Sequence, residues 1–222
     1  PTFDALFEGT RALPWECFIG KSDAFPVKGH ALRSTLFSVP DCQSIVKKAI
    51  VERLSAQYGV SWFSEDCTKY QVEFFILDNR ATLMIDTSGA PLHKRGYRPA
   101  AGAAPLRETL AAAMVRLARP REEVLFWDPF CGSGTIPIEA ALYAKNIAPG
   151  INRGFASEKW RIMGDSFKDA REEALENVND DIEPIIFASD IDSSCIEIAK
   201  ENADRAGVGS DIKFSVLNAL DF

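Results

Sequence analysis

Two hydrophobic periods run along the chain, and they change partners near its middle. In SVPDCQSIVKKAIVERLSAQYG (residues 38–59), Ile45, Ala49, Ile50 and Leu54 recur at the spacing of one helix face. Asp41 is the expected N-cap and Gly59 the expected stop. Lys47, Lys48 and Arg53 fall off that stripe. KYQVEFFILDNRATLMIDTSG (69–89) has two apolar, β-favouring runs flanking Asp78-Asn79, so it reads as a hairpin. Upstream, FDALFEGTR predicts a short helix closed by a turn near Pro14. Phe18 and Ile19, then Phe25 and Val27, read as strand pieces.

The second half alternates in a different way. VLFWDPF (124–130), EPIIFASDID (183–192) and DIKFSVLNAL (211–220) are apolar runs of strand length. Helical patterns separate them: the apolar run that closes DPFCGSGTIPIEAAL (128–142), residues 164–178, and SSCIEIAKENADRAG with Ser193 or Ser194 as the expected cap and Gly207 as the stop. A β-α-β-α-β order predicts a parallel sheet flanked by helices. HKRGYRPAAGAAP (93–105) has linker composition, and Pro105 suits the first turn of a helix continued by LRETLAAAMVRLAR. The expectation is an α/β chain of two modules with the boundary near residues 95–105. Residues 1–98 form an α+β module, and residues 99–222 a parallel-sheet domain.

Composition narrows the function classes. Hydrophobic residues make up 46% of the 222, enough for real cores. No apolar run is long enough to span a membrane. Five cysteines include no CxxC pair, and the only histidines are His30 and His93, so neither a metal site nor a disulfide framework is expected. That cysteine usage fits a reducing cytoplasm. The net charge of −7 is uneven: residues 1–110 carry +1 and residues 111–222 carry −8. The first half is therefore the better candidate for a nucleic-acid surface.

The stretch DPFCGSGTIPIEAAL (128–142) is the candidate for chemistry. A hydrolase elbow, GxSxG, needs glycine where Cys131 stands. A dinucleotide fingerprint needs its third glycine where Pro137 stands. A D-x-x-x-G-x-G loop fits. Asp128 closes a strand, Gly132 and Gly134 allow close approach of a ligand, and a helix N-terminus follows. Pro137 is tolerated in that first turn. Asp190 ends the second strand, where a carboxylate can hold a ribose diol or merely cap a helix. Asn218-Ala219 end the third, where an amide and a backbone N–H can read an adenine edge.

These phrases carry a resemblance. DPFCGSGTIPIEAAL, with IDTSGAPLHKRGYR (85–98) and APLRETLAAAM (104–114), resembles THUMP-domain-containing class I RNA methyltransferases. Among them, it is similar to ribosomal large-subunit RNA guanine-N2 methyltransferases, whose relatives are often labelled N6-adenine-specific DNA methylases. The resemblance implies S-adenosylmethionine as cofactor. It places Asp128, Cys131, Gly132, Ser133, Gly134 and Thr135 around the methionine part, Asp190 on the ribose, and Ile191, Asn218 and Ala219 at the adenine. Many relatives have Asp where Asn218 stands. Gly134 and Asp190 lie 56 residues apart, and AKNIAPGINRGF falls in the insertion this implies.

The family's Asn/Asp-Pro-Pro-Tyr motif, which positions the amine to be methylated, is not found in these residues. It is expected beyond Phe222, after a fourth strand, and no catalytic residue is therefore assigned. The chain is expected to be part of a longer enzyme, cut after its third strand and inactive by itself. Its expected partner is RNA, in particular ribosomal RNA, with no membrane and no metal. RNA candidates are Arg33, Lys47, Lys48 and Arg53, plus Lys94, Arg95 and Arg98. Lys47, Lys48 and Arg53 could equally form a solvated helix face, and the 94–98 cluster could equally pair with acids of the second half. DNA adenine methylation and a non-catalytic RNA-binding module with a vestigial cofactor fold are the competing functions.

Overall fold

The structure is a computed structural model that describes residues 2–98, 106–121 and 123–220. The chain divides into two compact units. Unit 1 runs to Ala90 and includes Phe155–Gly164; unit 2 comprises Pro91–Gly154 and the chain from Asp165 onward.

Unit 1 begins with helix α1 (Phe3–Arg11), whose cap Thr2 accepts a hydrogen bond from the Ala5 amide at 3.1 Å. Strand β1 (Val27–Leu32) leads through helix α2 (Val39–Tyr58) to the hairpin β2 (Gln71–Leu77) and β3 (Arg80–Asp86). β1 pairs parallel with β2, so a crossover is needed, and α2 supplies it. β2 pairs antiparallel with β3 across Asp78-Asn79. Both turn residues have positive φ, 48° and 65°, as a tight two-residue turn requires. α2 buries Cys42, Val46, Ile50 and Leu54 in one core with Val72, Phe74 and Ile76 of β2, and Ala49 is buried as well. Gly29 in β1 is required by packing: a Cβ there would lie 2.2 Å from the Phe74 carbonyl oxygen.

The segment Phe155–Gly164 completes this core from 70 residues downstream. Trp160 is 5% exposed and stacks on Tyr70, with centroids 4.7 Å apart. Its indole N–H donates to the Lys69 carbonyl at 3.3 Å, and the Ser157 amide donates to the Thr87 carbonyl at 3.1 Å.

Unit 2 contains helix α3 (Glu108–Ala118), strand β4 (Phe126–Asp128), helix α4 (Thr135–Ala144), helix α5 (Ser166–Glu176), strand β5 (Ile186–Asp190), helix α6 (Ser193–Ala206) and strand β6 (Ile212–Val216). The sheet has order β4-β5-β6, all parallel. α4 buries residues on every side, including Ile138, Ala140 and Ala141, because α3, α6 and the sheet all pack on it. All three β-strands present their C-terminal ends at one edge, where parallel sheets place their ligands.

Several local expectations change. Ser38, not Asp41, is the N-cap of α2, because Pro40 occupies its first turn; Asp41 sits in that turn, where a carboxylate suits the helix dipole. Asp192, not Ser193 or Ser194, caps α6, accepting from the Ser194 amide at 2.8 Å. Phe18 and Ile19 follow a 3₁₀ turn at Trp15–Cys17 and are not strand. Pro105, the expected first-turn proline, and Phe222, the expected point of the cut, both lie outside the described residues.

Trp160→Ala should cost unit 1 about 3–5 kcal/mol, as removal of a buried tryptophan does. Hydrogen exchange should then lose protection in β2 and β3, with β4–β6 unchanged. Loss confined to residues 155–164 would contradict a core role.

Candidate functional site

The loop after β4 is gripped by its neighbours at nearly every residue. Asp128 accepts from the Phe130 amide at 3.1 Å. The Cys131 amide donates to the Ser189 carbonyl at 2.9 Å, and the Gly132 amide donates to Asp190 Oδ2 at 3.0 Å. The Asn202 carboxamide donates to the Ser133 carbonyl at 3.0 Å. Arg98 Nη1 donates to Thr135 Oγ1 at 3.0 Å. Strand β5, helix α6 and the segment before α3 thus hold one arc of five residues.

The two glycines have different reasons. Gly132 has φ +52° and nothing within 4 Å of where a Cβ would stand, so open space lies beside it. Gly134 has φ +80°, and a Cβ there would lie 3.0 Å from Ala199 Cβ. Gly134 serves the close approach of α6 as well as the turn. α4 then starts at Thr135 without a side-chain cap, unlike α6. A first turn leaves backbone N–H groups without intrahelical partners, and Pro137 brings none to satisfy.

The strand ends supply acids and apolar surface. Asp190 accepts from the Gly132 amide through Oδ2 and from the Asp192 amide through Oδ1 at 3.0 Å. Its carboxylate therefore ties the loop to β5, with lone pairs left over for a ligand. Ile191 beside it is 71% exposed, and Phe130 across the loop is 77% exposed. Asn218 accepts from the Leu220 amide at 3.1 Å, and Ala219 is half-buried beside it. No Asn/Asp-Pro-Pro-Tyr run occurs among the described residues. Phe130 and Asn202 are absent from the expected set. Phe130 gives no sequence signal beyond its place in the loop. Asn202 does, as a polar residue inside the buried stripe Ile196, Ala199, Ala203 and Ala206.

Electrostatics separate the loop's groups. Burial raises the Asp128 carboxyl above its ordinary range; the Phe130 N–H opposes this, and the charge of Asp190 adds to it. Burial, then Asp128 and Asp190, push the Cys131 thiol up to about 12. A thiol so shifted is not a nucleophile at neutral pH.

The basic candidates divide. Arg95 pairs with Glu139 at 3.2 Å, and Tyr97 donates to the same carboxylate at 3.0 Å. Arg98 is 9% exposed in its side chain and pairs with Glu108 at 2.9 Å. The structure brings both arginines onto acids of unit 2: Arg95 onto Glu139 of the second half, Arg98 onto Glu108 ten residues on. In unit 1, Arg33 forks onto Asp78 at 2.8 and 2.9 Å. Arg53 pairs with Glu16, and Lys47 with Glu65 while its Nζ lies 3.5 Å above the Phe25 ring. Lys48 and Lys94 are exposed, with Lys48 Nζ 5.8 Å above the Phe7 ring. A cleft of about 850 Å³ lies elsewhere, at the C-terminal end of α4, lined by Arg95, Arg116, Tyr143 and Asn146. Among the described residues, no cluster could hold a metal ion and no helix is long and apolar enough to cross a membrane.

Comparison with known proteins decides the family. Residues 95–222 match the model of the RMKL-like methyltransferase domain, and residues 1–86 match the THUMP domain. The chain belongs to the RMKL-like methyltransferase family. It is 52% identical over its full length to a Bacillus subtilis protein named "Putative RNA methyltransferase YpsC", covering 58% of it. It is 37% identical to "Ribosomal RNA large subunit methyltransferase K/L" of Psychromonas ingrahamii, over 96% of this chain and 29% of that protein. The chain thus spans little more than half, or less, of these relatives. Two solved structures cover the whole chain and 59% of their own. One is a "predicted N6-adenine-specific DNA methylase" from Listeria monocytogenes, 53% identical with a TM-score of 0.96. The other is "SMU.472, a putative methyltransferase complexed with SAH", 38% identical with a TM-score of 0.93.

Mass mapping after brief alkylation at pH 8 should find exposed Cys17 modified and Cys131 almost untouched. Comparable labelling at Cys131 would contradict its burial and the shift of its thiol.

Proposed function

We propose that unit 2 binds S-adenosylmethionine at the strand ends and that unit 1 docks RNA, in an enzyme that methylates an exocyclic nucleobase amine. The observation that carries the reading is the open face of Gly132, set between the Asp190 carboxylate and the uncapped start of α4. The fit is chemical. The loop and the first turn of α4 offer N–H groups to a carboxylate, and Asp128 offers an acceptor to an ammonium. Asp190 offers lone pairs to a ribose diol. Exposed Ile191 offers an apolar face to adenine, with Asn218 and Ala219 at its edge. The SAH-bound relative supports the same ligand class.

When bound, the donor supplies an electrophilic methyl group on a sulfonium. The work of these residues is to hold it in one place and orientation. Cys131 and Ser133 shape the arc, Gly134 seats it on α6, and Thr135 begins the helix. No Asn/Asp-Pro-Pro-Tyr run occurs in the 222 residues, so the reading expects donor binding from them and no turnover without a segment carrying that motif. Guanine N2 of ribosomal RNA is the acceptor we favour: the resemblance of the loop and linker phrases points to guanine N2, and the likeness to a ribosomal RNA large subunit methyltransferase K/L supports ribosomal RNA. The target base has to leave its stack to reach the methyl group.

Incubation of the intact protein with unmodified ribosomal RNA and methyl-labelled donor, followed by nucleoside mass spectrometry, tests the acceptor. Label in N2-methylguanosine is expected. Label in N6-methyladenosine of the RNA, label only in N6-methyldeoxyadenosine when DNA is supplied in a parallel incubation, or label in no nucleoside would overturn the assignment.

The geometry also ranks the RNA candidates. Exposed Lys48 and Lys94 are available to phosphates, whereas Lys47, Arg53, Arg95 and Arg98 already serve internal partners. Lys48→Glu and Lys94→Glu should each weaken RNA binding and reduce the salt slope by about 1. Unchanged slopes for both would assign these lysines to ordinary surface.

A further inference from the structure

Helix α6 buries Ile196, Ala199, Ala203 and Ala206. Asn202 sits among them and is 2% exposed. A carboxamide in such a place is costly unless it is bonded. Its Nδ2 donates to the Ser133 carbonyl at 3.0 Å. Arg98, its side chain 9% exposed, grips the arc two residues on. It donates to Thr135 Oγ1 at 3.0 Å and is itself fixed by Glu108 at 2.9 Å and by the Leu106 carbonyl at 3.3 and 3.4 Å. Between these two grips lies Gly134, pressed on Ala199.

We propose that Asn202 and Arg98 are positioning residues for the donor-binding loop. They fix the Ser133 carbonyl and the Thr135 side chain. The open side at Gly132 and the first-turn N–H groups of α4 are thereby aimed before a ligand arrives. Neither residue is placed against the ligand; each acts through the loop. These two polar groups do little for the sheet, since the core of unit 2 closes without them through Ile138, Ala188, Ile196 and Ile212. They do much for the arc, whose own side chains are small. Preorganisation of this kind removes the ordering cost from the binding step. The inference rests on the reading of the loop as an S-adenosylmethionine site.

Calorimetric titration of S-adenosylhomocysteine tests it, with the melting temperature of each variant measured alongside. Asn202→Ala and Asn202→Asp remove the donor to Ser133. Thr135→Val removes the acceptor of Arg98 while leaving Arg98 and Glu108 paired, which avoids unfolding by a stranded charge. Val208→Ala serves as the control, a buried residue beyond the C-terminal end of α6.

At neutral pH, Asn202→Ala and Asn202→Asp should each bind about tenfold more weakly or worse, about 1.4 kcal/mol. Thr135→Val should bind several-fold more weakly. Val208→Ala should keep wild-type affinity even where it melts as low as they do. The aspartate carries a further signature. Once protonated it can again donate to the Ser133 carbonyl, and burial raises the pH at which it does so. Relative to wild type, Asn202→Asp should therefore regain affinity as pH falls, and Asn202→Ala should not. Wild-type affinity in both Asn202 variants, or losses that track melting temperature as strongly in Val208→Ala, would overturn the positioning role. Absence of binding by the wild-type protein would instead overturn the donor-site reading, and this proposal with it.

Discussion

The hydrogen bond from the Gly132 amide to the Asp190 carboxylate is the constraint on which the site depends. It joins the turn after the first strand of unit 2 to the end of the second. Without it, the Gly132 amide would lose its tie to β5, and the arc from Cys131 to Thr135 would rest on its contacts to Ser189, Asn202 and Arg98. With it, the arc is bolted to the strand whose end carries the acid. Asp190 therefore has two tasks in one side chain. It shapes the loop through Oδ2 and steadies the start of α6 through the Asp192 amide on Oδ1. A carboxylate so engaged is already oriented when a diol approaches.

The same loop shows how charge is managed near the proposed donor site. Burial raises the Asp128 carboxyl above its ordinary range, and the nearby charge of Asp190 adds to the shift. An incoming cation relieves that repulsion. Behind the loop, the basic residues Arg95 and Arg98 are matched to Glu139 and Glu108, so the interior of unit 2 carries buried pairs rather than bare charge. Removing one partner of such a pair would strand the other, which is why these arginines read as architecture. Glu108 keeps one buried oxygen without a hydrogen-bond partner among the described residues.

Much of this was legible from pattern alone. The period-two runs gave β2 and β3, and the strand–glycine–helix phrase located the arc because Gly132 and Gly134 both take positive φ. The resemblance supplied the ligand class. What pattern could not supply was partnership at long range. Nothing local says that Trp160 packs on Tyr70, 90 residues earlier, or that a helix-capping acid is Asp192 when two serines follow it. The basic cluster at 94–98 stood open between an RNA surface and pairing with acids, because sequence lists charges without their neighbours. Only the fold pairs Arg95 with Glu139, 44 positions on. Asn202 could have been noticed as the one polar member of an apolar stripe, but its target, the Ser133 carbonyl, is 69 residues away.

The central claim is that the arc after β4 holds S-adenosylmethionine. Amide resonances of isotope-labelled protein, followed during addition of S-adenosylhomocysteine, test it most directly. The account predicts that Gly132, Thr135, Ile136, Ile191 and Ala219 shift together with one dissociation constant, while the amides of β1, β2 and β3 stay in place. Shifts centred on the cleft at the far end of α4, with the Gly132 and Ile191 amides unmoved, would contradict it.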